Sequence, residues 1–403
     1  HNTPNSTIYL NSGASSEVVT GNHSNGTYKL IIRLCESPAS LLSAMLNKLR
    51  HFCIIAIGVL LGLLLSENSV NAALPPGNAV KDPYAILRNA LPIEQPELRD
   101  IQHKLEDTSN LVRGSRWPAV SKAITSAKFK VSNRSNQIIN AIPKEKNKEA
   151  QEIIDNLILK LDGMNELSNA KNKLSFIKER KEALQMIGKL EALVLDNKFP
   201  YFIPQEFDNL PRLLGRANVS IKTNKGEMKA IIDGYNAPLT AGAFIDLSLK
   251  GFYDDLPINR AEEFFVLQTG DPKGSDIGYI NPETKEERYI PLEIRVPNEI
   301  NTIYGQTFED LGLYTETPVL PFASPGALGW SHSTKSVNDG SSQFFFFLYD
   351  AELNPAGRNL IDGNNSCFGY IVEGVELLNK LDVNDKIISI KVESGSEFLT
   401  SNR

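Results

Sequence analysis

Few side chains in this sequence have the types and spacing that catalytic or metal-binding sites usually need. Beyond residue 72 the histidines are His103 and His332, whose separation fits no metal-ligand spacing. Cys367 is the last cysteine, and no Gly-rich phosphate-binding loop of either common type occurs. Taken alone, Arg260 is most simply a solvated surface cation. The sequence therefore predicts neither a metal nor a cofactor, and any chemistry must come from ordinary side chains.

The composition excludes several classes of protein. The 403 residues include 42 Lys and Arg against 48 Asp and Glu, a net charge of -6, and 41% are hydrophobic. That length allows two or three domains with cores of their own. The ordinary hydrophobic fraction excludes a wholly disordered chain and a multi-span membrane protein. Three cysteines exclude a disulfide-stapled fold, and the acidic balance argues against a nucleic-acid partner.

The first seventy residues have the pattern of a targeting segment. No methionine precedes Met45, and a basic stretch, an apolar run over residues 54–65 and small residues up to Ala72 then follow. This is the order of a secretory signal peptide, and the run is shorter than the roughly 20 residues that span a bilayer. We predict that residues 1–44 lie upstream of the true start and that 45–72 are a signal peptide. A disordered N-terminal tail is the alternative.

A signal peptide implies export. Its removal would take away Cys35 and Cys53 and leave Cys367 without a partner, so no intramolecular disulfide is expected. The predicted compartment is the periplasm or, in a photosynthetic cell, the thylakoid lumen.

The exported part divides near Pro200 into two halves of opposite charge. Residues 73–195 carry 20 Lys and Arg against 15 Asp and Glu, a net of +5, whereas residues 196–403 carry 18 against 30, a net of -12. Opposite charges favour docking of the halves on each other. The basic half also suits peripheral contact with a membrane surface or an acidic partner, although solvated helix faces explain the same charge.

Residues 80–195 show the periodicity of helices. Apolar residues recur three and four apart, and we expect Pro118 to begin the second helix, Pro143 to follow its end, and Gly163 to stop the third. Short loops between four such helices predict an antiparallel bundle. A dimerising zipper is the alternative, but a sustained heptad is missing. The four apolar stripes run from Leu98 to Leu105, Val120 to Val131, Ile153 to Leu161 and Leu174 to Val194.

Three prolines in residues 196–215 prevent a continuous helix there, so this segment is predicted to be an extended linker that packs through its aromatic residues. Beyond it the pattern changes to strands. Alternating residues on either side of Lys225-Gly226 predict a hairpin. Helices are predicted at 240–249 and 375–381. Further strands are predicted at 263–268, 343–348, 367–372 and 387–392, and many short strands with two helices favour a closed β-barrel.

Four segments in order carry a family resemblance. They are Asn236 to Phe244, Asn259 to Asp271, Gly340 to Phe345, and Cys367 to Gly369. Over residues 216–398 the chain resembles a cyclophilin, which implies a closed eight-stranded antiparallel β-barrel with two helices. Together with the predicted antiparallel helical bundle, this makes a two-domain α + β protein. The resemblance also implies peptidyl-prolyl cis-trans isomerase activity on proline-containing polypeptide segments.

The front half narrows the resemblance to the large thylakoid-lumen cyclophilins. Ala90 to Ile93, Phe199 to Tyr201 and an insert over 272–318 belong to that pattern. The resemblance implies a bundle docked on the barrel within the chain, residence in the lumen, and a role in assembling photosystem II, whose subunits would be partners.

The same resemblance assigns the site. Arg260 takes the catalytic position and Gln268 the position that hydrogen-bonds the substrate backbone. The remaining implied substrate-binding residues are Phe265, Val266, His332, Gln343, Phe345 and Leu353.

Several positions depart from the active-family pattern. Glu352 replaces a pocket tryptophan and Asn365 a histidine, Ser331-His332-Ser333 replaces an Ala-Asn-Ala stretch, and Val266 replaces a larger side chain. Two hypotheses follow. In the first, the barrel is a prolyl isomerase of weak or regulated activity, and in the second it is a catalytically silent proline-peptide-binding chaperone. Retention of Arg260 favours the first, whereas Glu352, Asn365 and an insert able to cover the groove favour the second.

Overall fold

The computed structural model describes residues 80–196, 198–263, 265–299, 301–348 and 361–400. The predicted signal peptide and the stretch before it lie outside these residues. By its contacts the chain forms two compact units, His1–Ala73 and Leu74–Arg403, and the described residues belong to the second. Among them, no helix is both long enough and apolar enough to cross a membrane.

Helices make up the first part of the described chain. Prolines stand in the first turn of the first three, where a missing N–H costs nothing. At the first helix the Asp82 side chain also accepts a hydrogen bond from the backbone N–H of Tyr84 at 3.1 Å. The helices are α1 (Pro83–Asn89), α2 (Pro96–Arg113), α3 (Trp117–Asn140), α4 (Asn147–Asn169) and α5 (Lys173–Leu195).

The four long helices α2 to α5 pack in sequence order, with α5 returning against α2, around one apolar core. Each contributes the residues that recur three and four apart, while lysine and glutamate cover the outside. The predicted helical bundle is confirmed as a helical N-terminal region. Its most deeply buried members include Leu98, Ile101, Val120, Ile124, Ile154, Leu157, Phe176, Ile187 and Leu190.

Two details of the helix prediction are wrong. Gly163 does not stop α4, which continues to Asn169. A helical glycine costs only about 1 kcal/mol relative to alanine, and burial of the neighbouring Met164 favours continuing the helix. Leu174 and Ile177 do not face the core. They are 84% and 41% exposed, because Phe176 is the residue in register with the buried face of α5.

Strands make up the second part. The hairpin around Lys225-Gly226 is confirmed, with Thr223 opposite Gly226. The strands are β1 (Arg212–Leu213), β2 (Arg216–Thr223), β3 (Gly226–Asp233), β4 (Ile258–Glu262), β5 (Val266–Thr269), β6 (Glu293–Ile294), β7 (Ile303–Tyr304), β8 (Ala327–Trp330), β9 (Phe344–Phe347), β10 (Cys367–Glu373), β11 (Ile387–Ser394) and β12 (Leu399–Thr400).

Eight of the described strands form one antiparallel sheet in the order β11-β2-β3-β10-β8-β9-β5-β4. The predicted closure of this sheet is not confirmed. Its two outer strands approach at one end, where Pro257 bridges Lys386 and the Ile258 and Ile387 N–H groups donate to the Asp385 and Leu256 carbonyls, both at 2.9 Å. The two strands are not paired along their length in the described sheet, which is a curved half-barrel. The second predicted helix is a 3-10 helix, Val375–Lys380, rather than an α-helix.

The concave face of the sheet is filled by α6 (Pro238–Leu249). Phe244 of this helix lies 5.1 Å, between ring centroids, from both Phe344 and Phe368 and 5.5 Å from Tyr253. Tyr253 is fully buried, and its hydroxyl donates to the carbonyl of Ser342 at 3.0 Å. This aromatic core fixes one face of β9 and leaves the other face for the site.

A short junction segment, α1 with residues 90–93, lies between the two halves. On the bundle side Arg99 donates to the carbonyls of Arg88 at 2.8 Å and Leu91 at 2.6 Å. The same guanidinium pairs with the buried Glu191 carboxylate at 3.1 Å. Burial raises the pKa of Glu191 to about 7, although the nearby arginines oppose that rise.

On the sheet side, Arg216 donates to the carbonyl of Leu87 and pairs with the buried Asp233, both at 2.6 Å. The Asn236 side chain donates to the carbonyl of Ala90 at 2.9 Å. The carbonyl end of α1, which lacks helical partners, is therefore bonded to both halves at once.

Two helical glycines provide a matched test of this packing. A Cβ at Gly163 would meet nothing within 4 Å, whereas one at Gly242 in α6 would stand 2.4 Å from the Pro211 carbonyl oxygen and 2.6 Å from the Arg212 Cα. We expect Gly163→Ala to raise the free energy of unfolding by about 0.5–1 kcal/mol. Gly242→Ala should lower it by about 1–3 kcal/mol through the backbone clash. Urea unfolding measures both, and equal effects would contradict the packing described.

Candidate functional site

The residues of the site are aligned by strand register. Arg260 on β4 is paired with Gln268 on β5, Gln268 with Phe345 on β9, and Phe345 with Gly329 on β8. Directly paired residues on neighbouring strands point to the same face of a sheet. The outer face of the half-barrel therefore carries, in one row, a cation, an amide and an aromatic ring.

Arg260 is at the edge of this row and about half exposed, at 49% for its side chain. Its Nε and Nη2 donate to Glu262 Oε1 at 2.7 and 2.6 Å. Exposed pairs of this kind stabilise a protein by about 1 kcal/mol or less. The pair holds the guanidinium in place without burying it, and a ligand could compete for its N–H groups.

A polar network beside Arg260 fixes both glutamines. Gln268 Nε2 donates to Gln343 Oε1 at 2.7 Å, and Asn259 Nδ2 donates to the same oxygen at 3.1 Å. Gln343 Nε2 donates in turn to Asp271 Oδ1 at 3.1 Å and to the Ile277 carbonyl at 3.0 Å. Gln343 thus uses both its donors and both acceptor positions within the protein, which leaves Gln268 as the glutamine with free oxygen capacity.

The apolar end of the row is covered. Val266 and Phe345 are only 3% and 6% exposed. Phe322, which follows the insert, stacks on the Phe345 ring with centroids 5.7 Å apart and planes 21° from parallel. On the other side a Cβ at position 329 would lie 2.1 Å from Phe345 Cζ, so only glycine fits beneath the ring. The Phe345 ring is therefore held between the Phe322 ring and the backbone of Gly329.

The junction segment packs on the same side of the sheet, against β10. Ile86, Leu87 and Ala90 belong to the same buried cluster as Val266 and Phe345. The face that the cyclophilin resemblance assigns to a proline pocket is therefore closed in this structure by residues of the chain itself.

The other predicted site residues are more dispersed. Phe265 is 38% exposed and lies edge-on to Phe347 at 6.2 Å. His332 is outside the row, with Nδ1 2.8 Å from the Ser333 carbonyl and Nε2 2.9 Å from the Asn364 carbonyl. Leu353, like Glu352, lies outside the described residues.

Asn365 stands where the resemblance expects a histidine, and its side-chain amide donates to the Trp330 carbonyl at 3.0 Å. Through this hydrogen bond the Asn365 side chain stabilises the backbone at the end of β8. It cannot act as the titratable group that an imidazole would supply.

Sequence reasoning missed Phe322, Glu262 and the role of α1. The Pro-x-Leu-Pro-Phe stretch from Pro318 to Phe322 was the available signal, since an apolar segment at the end of a polar insert has to pack somewhere. Nothing in its spacing indicates that the partner is Phe345.

The insert is anchored by one buried carboxylate. Glu293 of β6 accepts hydrogen bonds from the backbone N–H groups of Leu239 and Thr240 at the start of α6, at 3.1 and 3.0 Å, and from the Thr240 hydroxyl at 3.1 Å. Burial raises its pKa to about 7, and these bonds only partly oppose the rise. Tyr304 of β7 packs against Phe207 of the linker at 5.1 Å.

The chemistry available to this arrangement is limited to non-covalent stabilisation. Among the described residues, no group of three or more His, Cys, Asp or Glu side chains could hold a metal ion. Burial raises the pKa of the Cys367 thiol to about 12, so it is not a nucleophile near neutral pH. A guanidinium and an amide beside an apolar wall can bind a peptide and stabilise a change in its backbone.

Two family models match the chain. Residues 82–195 match the PsbQ-like domain of "peptidyl-prolyl cis-trans isomerase CYP38-like" proteins. Residues 218–394 match the cyclophilin-type peptidyl-prolyl cis-trans isomerase model.

Similar proteins span most of the chain. A putative thylakoid lumen peptidyl-prolyl cis-trans isomerase of Synechocystis sp. is 47% identical over 339 residues, covering 84% of this chain and 89% of that protein. The chloroplastic isomerase CYP38 of Arabidopsis thaliana is 34% identical, covering 87% and 86%. Among solved structures, a cyclophilin-type isomerase of Cryptosporidium parvum is 23% identical with a TM-score of 0.32, covering 44% of this chain and 98% of that one.

The Glu293 anchor predicts a pH dependence of stability. Its folded-state pKa, about 7, lies above the ordinary value of 4.5 for a glutamate. Its contribution to stability is therefore present below about pH 4.5 and lost as the pH rises through about 7. Between pH 8 and pH 5, we expect Glu293 to add up to about 3 kcal/mol to the free energy of unfolding.

Urea unfolding of wild type and Glu293→Gln at pH 5 and pH 8 measures this contribution. The variant should lose that part of the pH dependence. Glu299→Gln, which removes an exposed carboxylate of the same insert, should keep the wild-type dependence. Equal pH dependence in wild type and Glu293→Gln would show that Glu293 is not a buried titrating anchor.

Proposed function

The chain belongs to the cyclophilin-type peptidyl-prolyl cis-trans isomerases that carry a PsbQ-like helical domain, and we propose that it is an isomerase of weak or regulated activity. The observation that carries the proposal is the row of Arg260, Gln268 and Phe345 on adjacent strands. It provides a donor, a backbone-binding amide and an apolar wall on one face.

The physical requirement for the reaction is modest. Rotation about an X-Pro bond must break amide resonance, with a barrier of about 18–20 kcal/mol, and takes tens to hundreds of seconds unaided. Lowering that barrier by about 7 kcal/mol would accelerate rotation about 10⁵-fold. A guanidinium donating to the prolyl nitrogen favours the twisted, pyramidal state. In the proposed reaction Arg260 donates and Gln268 orients the peptide.

Regulation is proposed from the covered wall. A proline ring needs an open apolar surface, but Phe322 stacks on Phe345, and Val266 is almost fully buried. A substrate therefore binds only when this cover moves, and its apparent affinity falls by the fraction of molecules that are open.

The proposed location is the thylakoid lumen, because the Synechocystis relative is named as a lumen protein and the Arabidopsis relative as chloroplastic. The predicted signal peptide supports export, and the periplasm remains the alternative compartment. Assembly of photosystem II, with its subunits as clients, is proposed from the subfamily resemblance.

The second candidate is a silent proline-peptide-binding chaperone. It is favoured by the same closed wall and by Asn365, whose amide is committed to the Trp330 carbonyl. The two candidates differ in whether turnover depends on Arg260, which the following variants measure.

Arg260→Ala tests catalysis in the full chain. Loss of one preorganised donor should lower the isomerisation rate constant by about 10²–10³-fold, or to the uncatalysed rate. Exchange NMR on a prolyl peptide measures it. The matched control is Arg134→Ala, an exposed arginine of α3, which should leave the rate unchanged. No acceleration by wild type under any condition would reject the isomerase and favour the silent binder.

Phe322→Ala tests the cover. Removing the stacked ring should raise kcat/KM for the same peptide by about tenfold, because the closed state loses its main contact. The buried ring also stabilises the fold, so a loss of about 3–5 kcal/mol is expected. Phe308→Ala, a similarly buried ring in the insert cluster, controls for destabilisation and should not raise kcat/KM. If Phe322→Ala fails to fold, Phe322→Leu replaces it, and an unchanged kcat/KM in a folded variant contradicts the cover.

A further inference from the structure

One end of the bundle exposes apolar side chains that its helices do not need for packing. Leu174 is 84% exposed, the highest value for a large apolar residue among those the structure describes, and Ile177 is 41% exposed. Between them Phe176 points inward and meets the Trp117 ring edge-on at 6.0 Å. Because Trp117 begins α3 and Ser168 of α4 donates to its carbonyl at 3.3 Å, this end includes the starts of α3 and α5 and the last turn of α4.

The same end is strongly basic. Residues 109–125 and 163–178 contain six exposed Lys and Arg side chains, against Glu166 as the one carboxylate. None of the six forms an ion pair with any residue in the described part of the chain, whereas lysines 128, 130, 146 and 160 elsewhere in the bundle are paired. We call this surface the basic tip. It consists of Arg113, Arg116, Lys122, Lys171, Lys173 and Lys178 with Leu174 and Ile177.

The basic tip lies at the end of α5 remote from the acidic half. Leu195, at the other end of that helix, packs with Tyr235 of the sheet half. The 23 residues from Lys173 to Leu195 span about 33 Å of helix. With the net charges of +5 and -12 on the two halves, this separation orients the molecule tip-first toward a negatively charged plane.

A shallow groove of about 710 Å³ continues from the tip along α3. Trp117 and Phe129 provide its apolar surface, Lys122 and Lys171 its charges, and no Asp or Glu occurs in the lining that the structure describes. Phe129 is 68% exposed. Apolar surface bordered by lysines thus extends beyond the helix ends.

We propose that the basic tip docks this protein peripherally on an anionic membrane surface. Arg113, Arg116, Lys171 and Lys173 stand at helix ends and turns, and the groove that Lys122 and Lys171 border is shallow. This arrangement suits a plane of headgroups better than one acidic polypeptide. Lysines attract anionic headgroups, and an exposed leucine between them reaches the boundary of the acyl chains. This inference does not depend on the proposed isomerase function.

Vesicle sedimentation tests the proposal. Two proteins would be compared, the full chain and the compact unit Leu74–Arg403, which lacks the predicted signal peptide. Each would be mixed with vesicles of phosphatidylcholine containing 30% phosphatidylglycerol and, separately, with vesicles of pure phosphatidylcholine. We expect salt-sensitive binding of the unit to the anionic vesicles only. Each lysine contributes about fivefold, so Lys171→Glu/Lys173→Glu/Lys178→Glu should lower the partition coefficient by about 100-fold or more. Leu174→Ser should lower it severalfold.

Matched controls separate the tip from net charge. The charge control is the triple variant Lys144→Glu/Lys148→Glu/Lys189→Glu, which makes the same charge change at exposed positions outside the tip. The apolar control is Leu159→Ser, which removes another highly exposed leucine, at 69%. Both should bind nearly as wild type, with unchanged circular dichroism. Failure of Leu74–Arg403 to bind anionic vesicles, or an equal loss in the control triple, would overturn the proposal. Binding to poly-glutamate without vesicle binding would also overturn it and indicate an acidic polypeptide.

Discussion

The architecture depends on how the carbonyl end of one short helix is satisfied. The last carbonyls of a helix lack intrahelical partners, and α1 has only seven residues to distribute that cost. Its carbonyls are taken by Arg99 from the bundle and by Arg216 from the sheet. Both guanidiniums also pair with buried carboxylates, Glu191 and Asp233. Removing either arginine would leave a buried carboxyl group and a carbonyl of the junction without their partner, so each arginine supports both its own half and the contact of that half with the junction segment.

This junction has a direct consequence for the site. Bonding of its carbonyls fixes α1 against β10, where Ile86 and Leu87 belong to the buried cluster that also includes Phe322 and Phe345. The Arg260 edge of the same row stays exposed. Among the described residues, the polar part of the proposed peptide site is therefore open and its apolar part closed, as the proposed regulation requires.

Local patterns in the sequence predict the elements well, and contacts between elements poorly. The bundle helices, the β2–β3 hairpin and α6 follow from periodicity, turn residues and prolines. The resemblance to cyclophilins is confirmed by the family models and relatives. Arg260, Gln268 and Phe345 lie in the sequence motifs that carry this resemblance. Register then brings them into one row.

The features that were predicted wrongly or missed depend on contacts between residues that are distant in the sequence. Phe176, and not Leu174, is buried in the core, because Phe176 lies on the same side of α5 as the other buried residues. Counting the spacing of apolar residues does not show which of them face the core. Sheet closure depends on how β4 and β11 approach, and in the described sheet their backbones are bonded around Pro257 and Lys386 but not paired along the strands. The stacking of Phe322 on Phe345 joins a residue just after the insert to a residue of β9. No local pattern encodes it, and no titratable or catalytic residue type marks it.

In the proposed regulation, the junction segment keeps the proline wall closed. Arg216→Lys combined with Asn236→Ala tests it most directly. The lysine retains the charge opposite Asp233 but lacks the fork that also reaches the Leu87 carbonyl. Titration calorimetry would measure the affinity of a proline-containing peptide for wild type and the double variant. Tighter binding by the variant, with its circular dichroism unchanged, is the predicted result. Equal affinity in a folded variant would show that the junction does not control access to the site.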